Sequence, residues 1–418
     1  MSPSLPATLL LGNLVLVILG ALTGVNVSWA SGILIWIAVV FFWPTLRPAQ
    51  RHLGLAMIAV GSGAMAYAMW HDVGPNVSNA LASNALLVGM LTGLALLPQT
   101  VSTKVRHSRT GRSGFVLTML SITGLGGLIN IAAMVLLGDR LRDQQTLTAM
   151  HLKLLGRAYS IVAAYSPFIG GMALVLHLFP DAQLKDVWSI TAPVVIAGLL
   201  CAYVGASLTS PSINEFKSVA FNVETLWCPG LLVGLVLMTQ VLRPDIPIVA
   251  VIAIASTAIA MGYPRHSGPA RAQGWRDTTA RCARLGPESL MFMSAGFLAQ
   301  SLSAASETGI GITINAIDPI IGVSLLWVCV LPSFIGVHPI VPITVASGLV
   351  TSDFAEPAVL VAIFATAWAI GCTVNPFAGI GIVLQTRYRA GVGEILRWQW
   401  RYTLVMTIVA SGIIAMHT

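Results

Sequence analysis

The sequence predicts an all-α polytopic membrane protein built as an inverted repeat, with two re-entrant hairpins and two broken transmembrane helices. Three observations carry this expectation. The mean hydropathy is +0.84, and only 9% of residues are charged against 56% hydrophobic, whereas about a quarter of a soluble domain is charged. Apolar runs of about 17 to 25 residues recur along the chain, which is the length of a bilayer-spanning helix and unlike the short alternating segments of a barrel. Finally, an interrupted apolar stretch at 158–174, with Ser166-Pro167 at its centre and Gly170-Gly171 behind, returns near the end as 370–381 with Asn375-Pro376 and Gly379. The offset is 375 − 166 = 209, half of the 418 residues. Proline removes an intrahelical hydrogen bond, so in lipid such a helix breaks, and the freed groups must face protein or a water-filled cavity.

Taken in order, the first run (7–24) has no basic residue before it and is expected to be retained, although Ala21-Leu22-Thr23 has the small-residue look of a cleavage site. The second run (29–43) ends at Arg47, Arg51 and His52, which the positive-inside rule places in the cytoplasm. Run three (53–70) leads outward to His71 and Asp72, and run four (79–97) returns to Lys104, Arg106, His107, Arg109 and Arg112.

The stretch 115–137 holds Ser121-Ile122-Thr123-Gly124-Leu125-Gly126-Gly127-Leu128-Ile129-Asn130 and is followed by Arg140, Arg142, Lys153 and Arg157. Basic residues on both flanks predict a hairpin that enters and leaves on the cytoplasmic side, tipped by the glycines at 124–127. One ordinary span is the competing reading.

The first broken helix then runs outward to Pro180-Asp181, 187–206 returns, and 207–225 reads as a more polar linker. Runs 226–241 and 246–263 flank Arg243-Pro244-Asp245 and lead into the most basic loop, 265–284. After 289–305, a stretch at 321–349 interrupted by glycine and proline lies between loops holding Asp318, Asp353 and Glu356, so it dips in from outside. The second broken helix (358–384) runs inward to Arg387, Arg389, Arg397 and Arg401, and 402–414 is the last span. Nearly every basic loop falls on one side, Arg243 being an exception.

The expected organisation is therefore 1–78 as N-terminal scaffold helices, 79–206 as a first repeat, 207–225 as linker, 226–286 as scaffold helices with a basic cytoplasmic loop, and 287–418 as a second, inverted repeat. Registers agree at a second point, since Gly127 plus 209 lands on Gly336 in Pro332-Ser333-Phe334-Ile335-Gly336-Val337-His338-Pro339.

Several function classes are excluded. The net charge of +7 sits in short loops between apolar runs, as topology demands, and does not mark a nucleic-acid surface. Five cysteines, Cys201, Cys228, Cys282, Cys329 and Cys372, are an odd number without close pairs and suggest neither a disulfide framework nor zinc. No His-Glu-x-x-His or Gly-x-Ser-x-Gly occurs, and Gly124 to Gly127 lacks the strand context of a nucleotide loop, so no enzyme is expected.

Leu155-Gly156-Arg157-Ala158-Tyr159-Ser160 leading into Ser166-Pro167-Phe168-Ile169-Gly170 resembles the first broken helix of the ion-transporter superfamily, especially its divalent anion/sodium symporters of the dicarboxylate/citrate type. Phe292-Met293-Ser294-Ala295-Gly296-Phe297-Leu298-Ala299-Gln300-Ser301-Leu302, then Glu307-Thr308-Gly309, resembles the opening of that family's second repeat. The likeness spans roughly 80–206 and 289–414. It implies an elevator-type secondary transporter, with a scaffold and a rigid transport domain, a homodimer, and no cofactor beyond a coupling Na+ or H+. The family's Ser-Asn-Thr tripeptide at each hairpin tip is absent here.

The resulting expectation is a multi-pass transporter in the cell (inner) membrane, its basic loops cytoplasmic, moving a small anionic or polar, carboxylate-like solute. An exporter or cation/proton antiporter of the same superfamily is the alternative, and a non-transporting membrane scaffold the alternative of another class. Candidate solute- and ion-binding residues are Ser166, Pro167, Asn375 and Pro376 at the breaks, with Na+ expected near Ser166 and Asn375, and Thr373 just before the second break. An unwound helix offers free carbonyls on one side and free N–H groups on the other. At the tips the candidates are Thr123, Gly127, Asn130, Gly336 and His338, with Ser121 and Ser333 as further hydrogen-bonding groups. His338 titrates near neutrality in its free form and is a candidate proton carrier; a packed structural histidine is the competing reading. No arginine falls inside an expected span.

Overall fold

The computed structural model describes residues 4–97, 109–219, 227–243, 245–262, 277–310, 316–349 and 356–418. Parts of the basic loops, the end of the linker and Asp353 lie outside them. Among the described residues there is no strand; a single antiparallel bridge joins Thr110 and Lys217. Among the described residues, seven helical segments are long and apolar enough to cross a bilayer: Leu5–Thr23, Ser28–Thr45, Pro48–Trp70, Val77–Leu96, Gly111–Ile129, Leu184–Thr209 and Pro357–Tyr388. Apolar side chains left on the outside are what lipid requires. On Leu184–Thr209 the residues Ile196, Leu200, Val204 and Leu208, one turn apart, are each about half exposed or more. The chain is an all-helical, membrane-embedded protein.

The residues fall into two compact units: Met1–Thr100, Leu231–Ile314 and Thr344–Asp353 form one, and Val101–Gly230, Asn315–Ile343 and Phe354–Thr418 the other. The segments Val77–Leu96 and Gly286–Ala305, which the sequence groups with the repeats, pack in the first unit.

In that first unit, Pro48–Trp70 packs along Gly286–Ala305. Small residues permit the approach: a β-carbon on Gly54 would lie 2.7 Å from Leu290, and one on Gly61 2.9 Å from Phe297. The predicted run at 79–97 is two helices, Val77–Ala82 and Ala85–Leu96, parted at Ser83-Asn84. Neither glycine nor proline marks this break. Buried Asn84 donates to the carbonyl of Phe292 (2.7 Å), and buried Asn13 donates to that of Ala85 (3.2 Å).

The second unit contains one helical hairpin, the first arm and turn of another, and two interrupted helices. The first hairpin, Gly111–Ile129 and Ile131–Gln144, turns on Asn130, at φ 58° and ψ −149°. This corrects the expected tip: Gly124 to Gly127 lie within the first arm, because the helix continues until a residue with a positive φ stops it. A strap of residues 216–219, inside the predicted linker, clasps the open end of this hairpin. Phe216 accepts from the Gly111 N–H (2.8 Å), the Ser218 N–H donates to Arg109 (2.8 Å), and Gln145 donates to the Lys217 carbonyl (3.0 Å). The linker is thus shorter than expected, since Ser207 to Thr209 finish the helix Leu184–Thr209.

Next comes the first interrupted helix: Ala149–Ser160, a 3-10 turn Ile161–Ala164, and after Ser166-Pro167 the helix Gly170–Leu178. The second hairpin has arms Pro319–Val330, extended by the 3-10 turn Leu331–Ile335, and Ile340–Leu349, the latter divided between the units after Ile343. Between the arms Gly336 takes φ 87°, and a β-carbon there would meet the Phe377 ring at 2.7 Å. The second interrupted helix is Pro357–Val374 and Gly379–Tyr388. The last helix, Val392–Ala415, begins ten residues before the predicted 402, so Arg397 and Arg401 lie on it.

Element starts repeat at one offset. Returning hairpin arms begin at 131 and 340, and the helices after the breaks at 170 and 379, in both cases 209 apart. Val77–Leu96 and Gly286–Ala305 differ by 209 at both ends. The hub of the second unit is Pro357–Val374, in which every residue from Val359 to Val374 is buried.

Close packing there is testable at Gly171, where an added β-carbon would lie 2.5 Å from Trp368, and at Gly63, where it would meet nothing. Gly171→Ala is expected to destabilise by about 1–3 kcal/mol, and Gly63→Ala to be neutral or slightly stabilising. Thermal unfolding of the purified protein in detergent measures both.

Candidate functional site

Each break in the second unit exposes backbone groups that a membrane interior leaves without water. The sequence places a short polar side chain immediately before each proline, and the two solve the problem in the same way. Ser166 Oγ donates to the carbonyl of Gly127 on the first hairpin (2.7 Å) and accepts from the Phe168 N–H two residues on (3.3 Å). Asn375 Nδ2 donates to the carbonyl of Val337 on the second hairpin (2.7 Å), while its Oδ1 accepts from the N–H groups of Phe377 (2.8 Å) and Ala378 (3.2 Å). Both side chains are buried. Each thus ties a helix break to the hairpin near its turn and satisfies N–H groups inside the break, just ahead of the helix that follows. Pro167 and Pro376 supply the interruption itself.

Aromatic rings close the same contacts. Gly127 lies under Tyr165, whose hydroxyl is 2.5 Å from where a β-carbon would stand, as Gly336 lies under Phe377. Tyr165 donates to the carbonyl of Thr123 (2.6 Å), and the Thr123 hydroxyl donates to that of Ala158 (2.8 Å). Asn130 Oδ1 accepts from the Ile131 N–H (2.7 Å) and from the Tyr159 hydroxyl. These bonds offset the cost of holding a non-glycine residue at positive φ, about 1–3 kcal/mol.

Thr373 joins the two interrupted helices: its hydroxyl lies 2.6 Å from that of Ser160, and both are buried. His338 is buried, with its ring edge-on to Trp368 at 5.2 Å. Its Nδ1 accepts from the Ile340 N–H (3.2 Å), which leaves the proton of the neutral ring on Nε2. Ser333 is buried with an unpartnered hydroxyl, close against Gly371. Ser121 donates to Leu117 within its own helix (2.7 Å). All ten residues singled out in the sequence lie in the second unit. Ser166 meets Gly127, and Thr123 and Asn130 join through tyrosines; Asn375 and His338 converge on the second turn.

Sequence reasoning missed four contributors. Tyr159 and Tyr165 hold the first hairpin, Gln385 donates to the carbonyl of Pro376 (2.6 Å) across the second break, and Trp188 donates to that of Tyr165 (2.7 Å). A lone glutamine in an apolar run nine residues beyond a proline is the one such signal the sequence offered. Arg157 corrects a further expectation: it is a buried arginine inside a helix, only 8% exposed.

No family model matches the chain, and no curated relative matches it. Among solved structures it is similar to the YdaH transporter of Alcanivorax borkumensis, at 14% identity and a TM-score of 0.43 over 89% of each chain. A likeness of this size fixes neither the activity nor the details of the fold.

The hydrogen bonds predict an order of sensitivity. Ser166→Ala strands one carbonyl and one N–H held by a long bond of 3.3 Å and should cost about 1–2 kcal/mol, whereas Asn375→Ala strands a carbonyl and two N–H groups and should cost about 2–3 kcal/mol. Unfolding midpoints in detergent give the order, which a larger effect at Ser166 would reverse.

Proposed function

We propose that the protein is a secondary active transporter that moves a small anionic or polar, carboxylate-like solute across the cell membrane, coupled to H+ or Na+. The supporting observation is the duplicated constellation at the two breaks, in which Ser166 and Asn375, 209 residues apart, each bind a hairpin carbonyl and accept from the N–H two residues ahead. With basic loops on one face, the spacing favours an inverted repeat, its two hairpins entering from opposite sides. Buried polar breaks in a bilayer are costly to hold, and a duplicated pair suits a solute and ion site better than a passive scaffold.

In this reading the hairpins and interrupted helices move together in an elevator-like exchange of access, within a homodimer. Because Ser166 and Asn375 are already engaged, an ion or solute would be held by the backbone groups around them, with Thr373 and Ser333 contributing hydroxyls. His338 is the candidate for proton coupling: protonating Nδ1 forces loss of the Ile340 bond and so links the charge to the second turn. An exporter or antiporter of the same architecture would differ in coupling alone.

Proteoliposomes with imposed pH or sodium gradients, tested across small carboxylates, sulfate and other anions, check this. Gradient-driven flux should fall by at least about tenfold in Asn375→Ala, the scale of about 1.4 kcal/mol. In His338→Gln, flux should persist while its dependence on the proton gradient is lost. No flux of any solute under either gradient would favour the scaffold reading.

A further inference from the structure

Arg157 carries a charge that the transport reading does not use. It sits on Ala149–Ser160, nine residues before Ser166 and 8% exposed. Its Nε donates to Gln399 Oε1 (2.8 Å) and Nη2 to the carbonyl of Trp398 (2.9 Å), and the guanidinium lies 4.7 Å over the Tyr402 ring. Every one of these partners is neutral. Nη1 points toward Gly205, where a β-carbon would lie 3.5 Å away, so the absence of a side chain keeps that flank open. Lys153, one turn earlier, lines the same crevice and lies within electrostatic reach of both Arg157 and Arg397. Among the described residues no carboxylate comes within ion-pair distance of any of the three.

A buried cation without a counter-charge is expensive, and a second and third cation beside it raise the cost. The crevice is shallow: within it there is room for about one water, and the rest opens to the surface. Lys153 and the hydroxyl-bearing Thr209 and Ser210 line it together with Arg157. We propose that this crevice binds a phosphate-type anion, held by Lys153 and Ser210, with Arg157 neutralised from above. An anionic lipid headgroup and a soluble phosphate share this chemistry. The proposal is independent of the transport reading.

The full-length protein is purified in detergent. Native mass spectrometry compares retention of phosphatidylglycerol with that of phosphatidylcholine, and inorganic phosphate is titrated against chloride at equal ionic strength while the unfolding midpoint is followed. Wild type should retain the anionic lipid preferentially, and Lys153→Gln should weaken that retention about fivefold, the effect of one basic side chain near a membrane surface. Stabilisation by phosphate alone, lost in Lys153→Gln, would identify a soluble anion as the occupant. Arg157→Gln also severs bonds to the last helix, so Lys153→Gln, which breaks no hydrogen bond, is the deciding variant. Equal retention of both lipids with no phosphate effect beyond chloride, or a Lys153→Gln protein that behaves as wild type, overturns the proposal.

Discussion

A helix interrupted within a bilayer must find internal partners for every backbone group it releases, and the second unit is arranged around meeting that demand twice. Ser166 and Asn375 are short side chains that both donate to a neighbouring carbonyl and accept from N–H groups ahead. They stand immediately before the prolines that create the need. The hairpins follow from this, because their turns supply the carbonyls. Glycines at 127 and 336 follow in turn, since a side chain there would strike Tyr165 or Phe377. Burial of the whole of 359–374 encloses the helix that leads into the second break, while Phe377, just past Pro376, stays half exposed.

This arrangement makes the two breaks mechanically dependent on their hairpins. A movement of either turn would leave a buried carbonyl and its donor, the Ser166 hydroxyl or the Asn375 amide, without partners, each costly in a low-dielectric setting. The Thr373–Ser160 hydroxyl contact further joins the two interrupted helices to each other.

Much of this could be read from the sequence, for physical reasons. Proline, glycine and hydropathy are local signals, so the breaks at 166–167 and 375–376, the apolar spans and the 209-residue register were legible without coordinates. Features that depend on a distant partner were not. The first hairpin turns at Asn130 because Tyr159, on another helix, holds its side chain, and the nearby glycines that drew attention lie inside a helix. The interruption at Ser83-Asn84 has no breaker residue at all and rests on an amide reaching Phe292, 208 residues away. Arg157 reads in sequence as one more basic flanking residue; only the packing of Gln399, Trp398 and Tyr402 around it shows that it is buried.

The central claim is that the two hairpins enter from opposite faces of the membrane, and sidedness of labelling tests it most directly. Single cysteines at Asp143 and Ala316, both exposed at the open ends of the first and second hairpins, would be introduced into a chain whose five native cysteines are replaced. Vesicles of known orientation would then be treated with an impermeant maleimide. Labelling of Asp143→Cys from the cytoplasmic side only, and of Ala316→Cys from the outer side only, is the expected result. Labelling of both from the same side would contradict the inverted arrangement and the transport mechanism built on it.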